Sequence, residues 1–85
     1  MRLDKYLKVS RIIKRRTVAK EASEGGRVTL NGKQAKPSTE VKVGDVMEIR
    51  FGEKMAKYRI LAVAETVRKA DAGAMYELIE GEEDL

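Results

Sequence analysis

Leu3, Tyr6 and Leu7 recur at i, i+3 and i+4, the spacing of one helix face, and Arg2, Lys5 and Lys8 fall off that face. Asp4 suits the first turn, where a negative charge favours the helix N-terminus, and it can pair at i+4 with Lys8. The pattern predicts a short helix from about Leu3 to Val9. Between Ser10 and Arg16 the helical spacing breaks, which predicts a turn or helical connector with Ile12 and Ile13 turned into the core. Val18, Ala19 and Ala22 then resume a helical face. Thr17 is the N-cap, and the second helix runs to about Glu24. Gly25 and Gly26 end it, because glycine takes the left-handed conformation at a helix C-terminus without steric cost. The small alanines let the two helices approach closely.

From Arg27 the period changes from helical to two. Arg27-Val28-Thr29-Leu30 alternates polar and apolar, the mark of a half-buried strand. Asn31-Gly32 follows, the pair that a type I′ hairpin turn demands. Lys33 to Lys36 is a short return strand, stopped by Pro37, which has no N–H for a ladder. Ser38 to Lys42 reads as loop and Val43-Gly44-Asp45 as a turn. Val46 to Phe51 places Met47, Ile49 and Phe51 on one face and Glu48 and Arg50 on the other. After a turn over Gly52 to Lys54, Tyr58 to Ala64 predicts a further strand. Glu65 to Asp71 is polar and irregular. Ala70 to Ile79 is open between a short helix and a helix followed by a strand, Gly73 weighing against a continuous helix. Glu80 to Leu85 is a frayed, acidic end. Helix, basic turn, helix, hairpin, then strands: the order predicts an α+β fold with two short helices packed on a small antiparallel sheet.

Composition narrows what such a fold can do. The 85 residues contain no cysteine and no histidine. Disulfides, thiolate metal sites, a cysteine nucleophile and the commonest general base are therefore excluded, so neither an enzyme nor a metal or organic cofactor is expected. No apolar run approaches the ~20 residues of a membrane span. The charged start MRLDKYLKVS does not read as a signal peptide, and the expected location is the cytoplasm. The net charge of +4 conceals a segregation: residues 1–59 carry 16 Lys and Arg against 7 Asp and Glu, and residues 60–85 carry 2 against 7. A basic body with an acidic tail implies an anionic partner for the body. The apolar positions are committed to a core, which disfavours a lipid surface over nucleic acid.

The charge peaks in RIIKRRTVAK, residues 11–20, with Arg11, Lys14, Arg15, Arg16 and Lys20 and no acid. Arg15 and Arg16 precede the positive end of the second helix, where like charge costs roughly 0.3–1 kcal/mol per group. Cations kept at such a cost point to a polyanion, although a solvated basic connector has the same pattern. With Arg2, Lys5 and Lys8 on the first helix, the set predicts contacts to the phosphates of a nucleic acid. Arg is suited to bidentate contacts and Lys acts as a point charge. Tyr6 could stack on a base, but its spacing from Leu3 assigns it to the core.

Several separated motifs occur in one order: Met1-Arg2-Leu3-Asp4-Lys5-Tyr6-Leu7, Ser10-Arg11, Lys14-Arg15-Arg16-Thr17-Val18-Ala19, Gly26-Arg27-Val28, Leu30-Asn31-Gly32-Lys33, and Val43-Gly44-Asp45 closed by Ile49-Arg50-Phe51. Together they resemble the alpha-L RNA-binding domain, the family named after ribosomal protein S-four. The resemblance spans residues 1–51, leaving 52–85 as a C-terminal extension. With NGKQAKPS, EIRFGEK and Ala74-Met75-Tyr76, the whole chain is similar to short stand-alone members of bacterial ribosome-associated quality control. That resemblance implies binding to large-subunit rRNA and peptidyl-tRNA on an obstructed large ribosomal subunit. It also implies cooperation with a tailing factor of the RqcH type, which extends the stalled chain with alanine. Within the matched motifs Arg2 and Arg16 sit beside helix ends and are the leading contacts. The family presents its hairpin tip near RNA, which adds Arg27 and Lys33. A monomer is expected off the ribosome. The competing expectations are a heat-shock-type factor that repositions peptidyl-tRNA, an RNA-targeting module of an rRNA-modifying enzyme, and a peripheral membrane protein.

Overall fold

The computed structural model describes residues 1–13, 21–22, 24–51 and 53–81. The expected N-cap at Thr17, the first turns of the second helix, the Gly52 turn residue and the acidic end at 82–85 lie outside the described residues.

The first helix, α1 (Leu3–Ser10), forms where the i, i+3, i+4 spacing places it, and it buries Leu3, Tyr6, Leu7 and Ser10. No side chain caps its N-terminus. Its first N–H groups are satisfied across space instead: Leu3 donates to the carbonyl of Thr39 at 2.8 Å and Asp4 to that of Pro37 at 3.1 Å. Val41 donates back to the Met1 carbonyl at 2.8 Å, so the N-terminal residues run alongside 37–41 like a short strand. The helix ends at Arg11, whose backbone turns left-handed at φ 56°, ψ 24°. Ile12 and Ile13 then drop into the core, each 4% exposed.

Residues 21, 22 and 24 are helical, and Ala22 is fully buried. The glycine pair ends this helix as expected. Gly26 takes φ +71° and Arg27 donates to the carbonyl of Ala22 at 3.1 Å, the long bond of a Schellman cap. A side chain at Gly26 would also collide with the amide of Gln34, which hydrogen-bonds the Gly26 carbonyl.

Five antiparallel strands follow: β1 (Val28–Leu30), β2 (Lys33–Gln34), β3 (Val46–Phe51), β4 (Lys54–Ile60) and β5 (Tyr76–Gly81), in the spatial order β2-β1-β3-β4-β5. Asn31 and Gly32 both have positive φ, 52° and 84°, as the type I′ turn between β1 and β2 requires. Residues aligned across the ladders share a face. Val28, Ile49 and Ala56 form one core row, and Leu30, Met47 and Tyr58 the next. All six are buried, together with Ile60. Each large aliphatic side chain buried in this way contributes about 1.5–3 kcal/mol.

β4 begins four residues earlier than the apolar run suggests and stops at Ile60, with 61–64 outside the ladder. The polar residues Lys54 and Lys57 are drawn into the strand because β3 offers hydrogen-bonding partners along its full length, from Val46↔Arg59 to Phe51↔Lys54. The open choice over 70–79 resolves as a 3₁₀ helix, Lys69–Met75, followed by β5. Tyr76 at the start of β5 packs edge-on against Tyr58, ring centroids 5.3 Å apart. Residues 54–81 thus supply two of the five strands.

Candidate nucleic-acid interface

The face of α1 opposite its buried residues carries Lys8, exposed, and Lys5, half-buried, at i and i+3. The helix is flanked by two exposed arginines, Arg2 before it and Arg11 after it. Burial of Leu3, Tyr6 and Leu7 against the sheet forces these cations outward, so the apolar stripe is what places them. Arg2 is extended (φ −71°, ψ 148°), and its guanidinium meets the Asp4 carboxylate at 3.1 Å. Asp4 also accepts the backbone N–H of Lys5 at 2.8 Å. The expected Asp4–Lys8 pair is therefore replaced by Asp4–Arg2. The carboxylate turns toward the helix N-terminus, where the N–H of Lys5 and the positive dipole attract it. Both partners are exposed, and such a pair is worth about 0–1 kcal/mol, so a phosphate could take the guanidinium at little cost.

Lys5, Lys8, Arg11, Arg27 and Lys33 make no ion pair among the described residues, in contrast to two cations of the open sheet face. There Arg50 pairs with Glu48 at 3.1 Å and Lys57 with Glu80 at 3.7 Å. Among the described residues, acids thus pair with these two sheet cations and leave most of the cations of α1 and its flanks open. Arg27 and Lys33, both exposed, lie at opposite ends of β1. That strand is three residues long, which separates them by roughly 10 Å of backbone or more. They do not form one cluster with each other. Lys14, Arg15, Arg16 and Lys20 lie outside the described residues.

The hairpin tip is held from below. The Asn31 side chain donates to Asp45 at 3.1 Å and accepts the N–H of Val46 at 3.0 Å, while Asp45 also accepts the N–H of Lys42 at 2.9 Å. Asn31 and Asp45 are thus occupied in fixing the tip, which leaves Lys33 as its exposed cation. Tyr6 is fully buried, and its hydroxyl donates to the carbonyl of Met75 at 2.8 Å. Burial, helped by nearby Tyr76, pushes the Tyr6 phenol above the ordinary tyrosine range. It is part of the core and presents no face to a base.

Sequence reasoning missed two features here. One is the left-handed Arg11, which no composition signal marks because the residue is not glycine or asparagine. The other is the pairing of residues 1–4 with 37–41, a long-range contact without a local pattern. Among the described residues no group of three or more His, Cys, Asp or Glu could hold a metal ion, and no helix is long and apolar enough to cross a membrane. What the arrangement offers chemically is a set of outward cations on a rigid helix.

Comparison with known proteins bears on which anion those cations meet. The S4 domain family matches residues 1–47. A protein of Streptococcus pneumoniae named RQC P-site tRNA stabilizing factor is 58% identical over 79 residues, covering 93% of this chain and 90% of its own. A protein of the same name from Halalkalibacterium halodurans is 59% identical over 78 residues, covering 92% and 89%. Among solved structures, the trimeric structure of Vibrio cholerae heat shock protein 15 superposes with a TM-score of 0.79 at 35% identity, covering 93% of this chain and 81% of that one.

Proposed function

The chain belongs to the S4 domain family, and from that membership we propose that it is an RNA-binding factor of ribosome-associated quality control that holds peptidyl-tRNA on an obstructed large ribosomal subunit. One observation carries this reading: relatives named for stabilising P-site tRNA match at 58–59% identity over about nine-tenths of both chains. The outward, largely unpaired cations of α1 support it, since a folded RNA recognised through its shape and phosphates needs a rigid positive surface. In this reading Arg2, Lys5, Lys8 and Arg11 contact rRNA phosphates, joined by Lys14, Arg15, Arg16 and Lys20 from the basic stretch. Arg27 and Lys33 engage RNA separately at the two ends of β1. The protein acts as a grip with no reaction of its own. It keeps the tRNA in place while an RqcH-type factor extends the nascent chain with alanine. Residues 1–51 form the gripping domain and 52–85 its extension, of which β4 and β5 complete the sheet.

The heat-shock-type role, moving the tRNA, is the second reading. It draws on the structural likeness to heat shock protein 15, at the lower identity of 35%.

Co-sedimentation with large subunits carrying peptidyl-tRNA tests the proposal. Affinity should fall with salt at a log–log slope of about −0.7 to −0.9 per phosphate neutralised. Charge reversal at Arg16 (Arg16→Glu) should release the protein from the subunit. Full affinity in that variant would sink the phosphate-grip mechanism.

A further inference from the structure

The 3₁₀ helix Lys69–Met75 lies outside residues 1–47, the stretch that the S4 family matches, and it packs against α1. The Tyr6 hydroxyl fastens its last residue, donating to the Met75 carbonyl at 2.8 Å. With three residues per turn, side chains at i and i+3 of such a helix lie one above the other. Lys69, Ala72 and Met75 therefore form one row. Ala72 and Met75 are buried, so this row is the one turned toward the body of the molecule. Lys69, one turn before them, is exposed. Its amine emerges where the seam closed by Ala72 and Met75 runs out into solvent. That places it in the helical layer with the cations of α1. Lys57 and Arg59, which alternate with the buried Ala56, Tyr58 and Ile60, face away from that layer.

The surrounding charge singles Lys69 out. Residues 60–85 hold 7 Asp and Glu against 2 cations, Arg68 and Lys69. Arg68 has an acid three residues on, Asp71, whose N–H bonds the Arg68 carbonyl at 2.9 Å. Ala72 holds the corresponding place for Lys69, which makes no ion pair among the described residues. A further open cation beside α1 adds self-repulsion to the free protein, and a phosphate chain lying over both elements relieves it.

We propose that Lys69 is a phosphate contact supplied by the C-terminal extension, so that an RNA lying on α1 is held by residues outside the S4 stretch as well. The inference rests on the RNA-binding reading of α1 and extends it to a segment that otherwise completes the sheet and core.

The test is sedimentation of the full chain with large subunits carrying peptidyl-tRNA over a range of salt. Lys69→Ala removes one exposed amine and leaves the core intact, so its thermal midpoint should match that of the unaltered chain. It should bind about tenfold more weakly, with a log–log salt slope flatter by about 0.7–0.9. Lys69→Arg should restore both values. Arg59→Ala removes an equal charge from the open sheet face and should keep its affinity within about twofold and its slope unchanged. The proposal is overturned if Lys69→Ala keeps full affinity and slope, if its loss of affinity comes with a lowered midpoint or an unchanged slope, if arginine does not rescue it, or if Arg59→Ala loses as much. Arg16→Glu separates the two readings. If it releases the chain and Lys69→Ala does not weaken binding, this inference fails alone. If the unaltered chain ignores large subunits, the RNA-binding reading fails and this one with it.

Discussion

Arg11 offers a substitution in which stability and binding should move in opposite directions. Its backbone sits at φ 56°, ψ 24°, a conformation that costs an L-residue roughly 1–2 kcal/mol and glycine almost nothing. Arg11→Gly removes that cost but returns about 0.4–1 kcal/mol by enlarging the freedom of the unfolded chain. The net expectation is a gain of about 0–1.6 kcal/mol, centred near 0.8 kcal/mol. In a domain of this size the central value corresponds to a midpoint raised by about 3–6 °C. The guanidinium is exposed and has no ion pair among the described residues, so its loss removes no contact that offsets the gain. Binding should suffer instead. One lost charge-assisted phosphate contact lowers ribosome affinity about tenfold and flattens the log–log salt slope by about 0.7–0.9. Thermal unfolding by circular dichroism and sedimentation with large subunits at several salt concentrations read the two effects. Arg11→Lys keeps both the charge and the backbone strain, so its midpoint should stay near that of the unaltered chain. A midpoint that falls in Arg11→Gly would show that the left-handed turn is not strained. A raised midpoint with undiminished affinity would show that the strain is not tolerated for the sake of RNA.

Two further substitutions probe the frame that carries the cations. Tyr6→Phe deletes the bond to the Met75 carbonyl, which still accepts from Leu61 and Ala62, so the loss should be about 0.5–1.5 kcal/mol by denaturant titration. Because the Tyr6 phenol is shifted upward in the fold, its contribution is complete below the unfolded value near pH 10 and drains away as pH rises beyond it. Alkaline unfolding should therefore be shallower in Tyr6→Phe, and an unchanged slope above pH 10 would contradict the buried, protonated phenol. Asn31→Ala removes two side-chain hydrogen bonds and strains a position at φ 52°, which should cost about 1–3 kcal/mol by thermal unfolding. Loss of RNA affinity in this variant while it remains fully folded would move Asn31 from the frame to the interface.

Local signals were read correctly where one conformation outcompetes its alternatives within a few residues. Leu3, Tyr6 and Leu7 set α1 because only a helix brings that spacing onto one side. Gly25-Gly26 and Asn31-Gly32 ended a helix and turned a hairpin because left-handed backbone is inexpensive there. β4 was misplaced for the converse reason. Lys54 and Lys57 have weak strand preference, and the pull that extends the strand over them comes from β3, remote in the pattern. Asp4 was paired with the wrong cation because helical spacing weighs Lys8 and ignores an extended Arg2 arriving from outside the helix.

The amino-acid sequence alone thus determined the class of fold, the inward stripe of α1 and the cationic character of what remains outside, since periodicity and charge are properties of neighbours along the chain. It also determined, by lacking cysteine and histidine, that thiolate and imidazole chemistry are absent. Only the tertiary structure decided which charges stay open and which are cancelled, that Arg11 turns left-handed, and that β5 stands at an exposed edge. Those outcomes depend on which strands align and which distant carbonyls meet which N–H groups. Such contacts are selected by the burial of the whole core rather than by any one stretch of it.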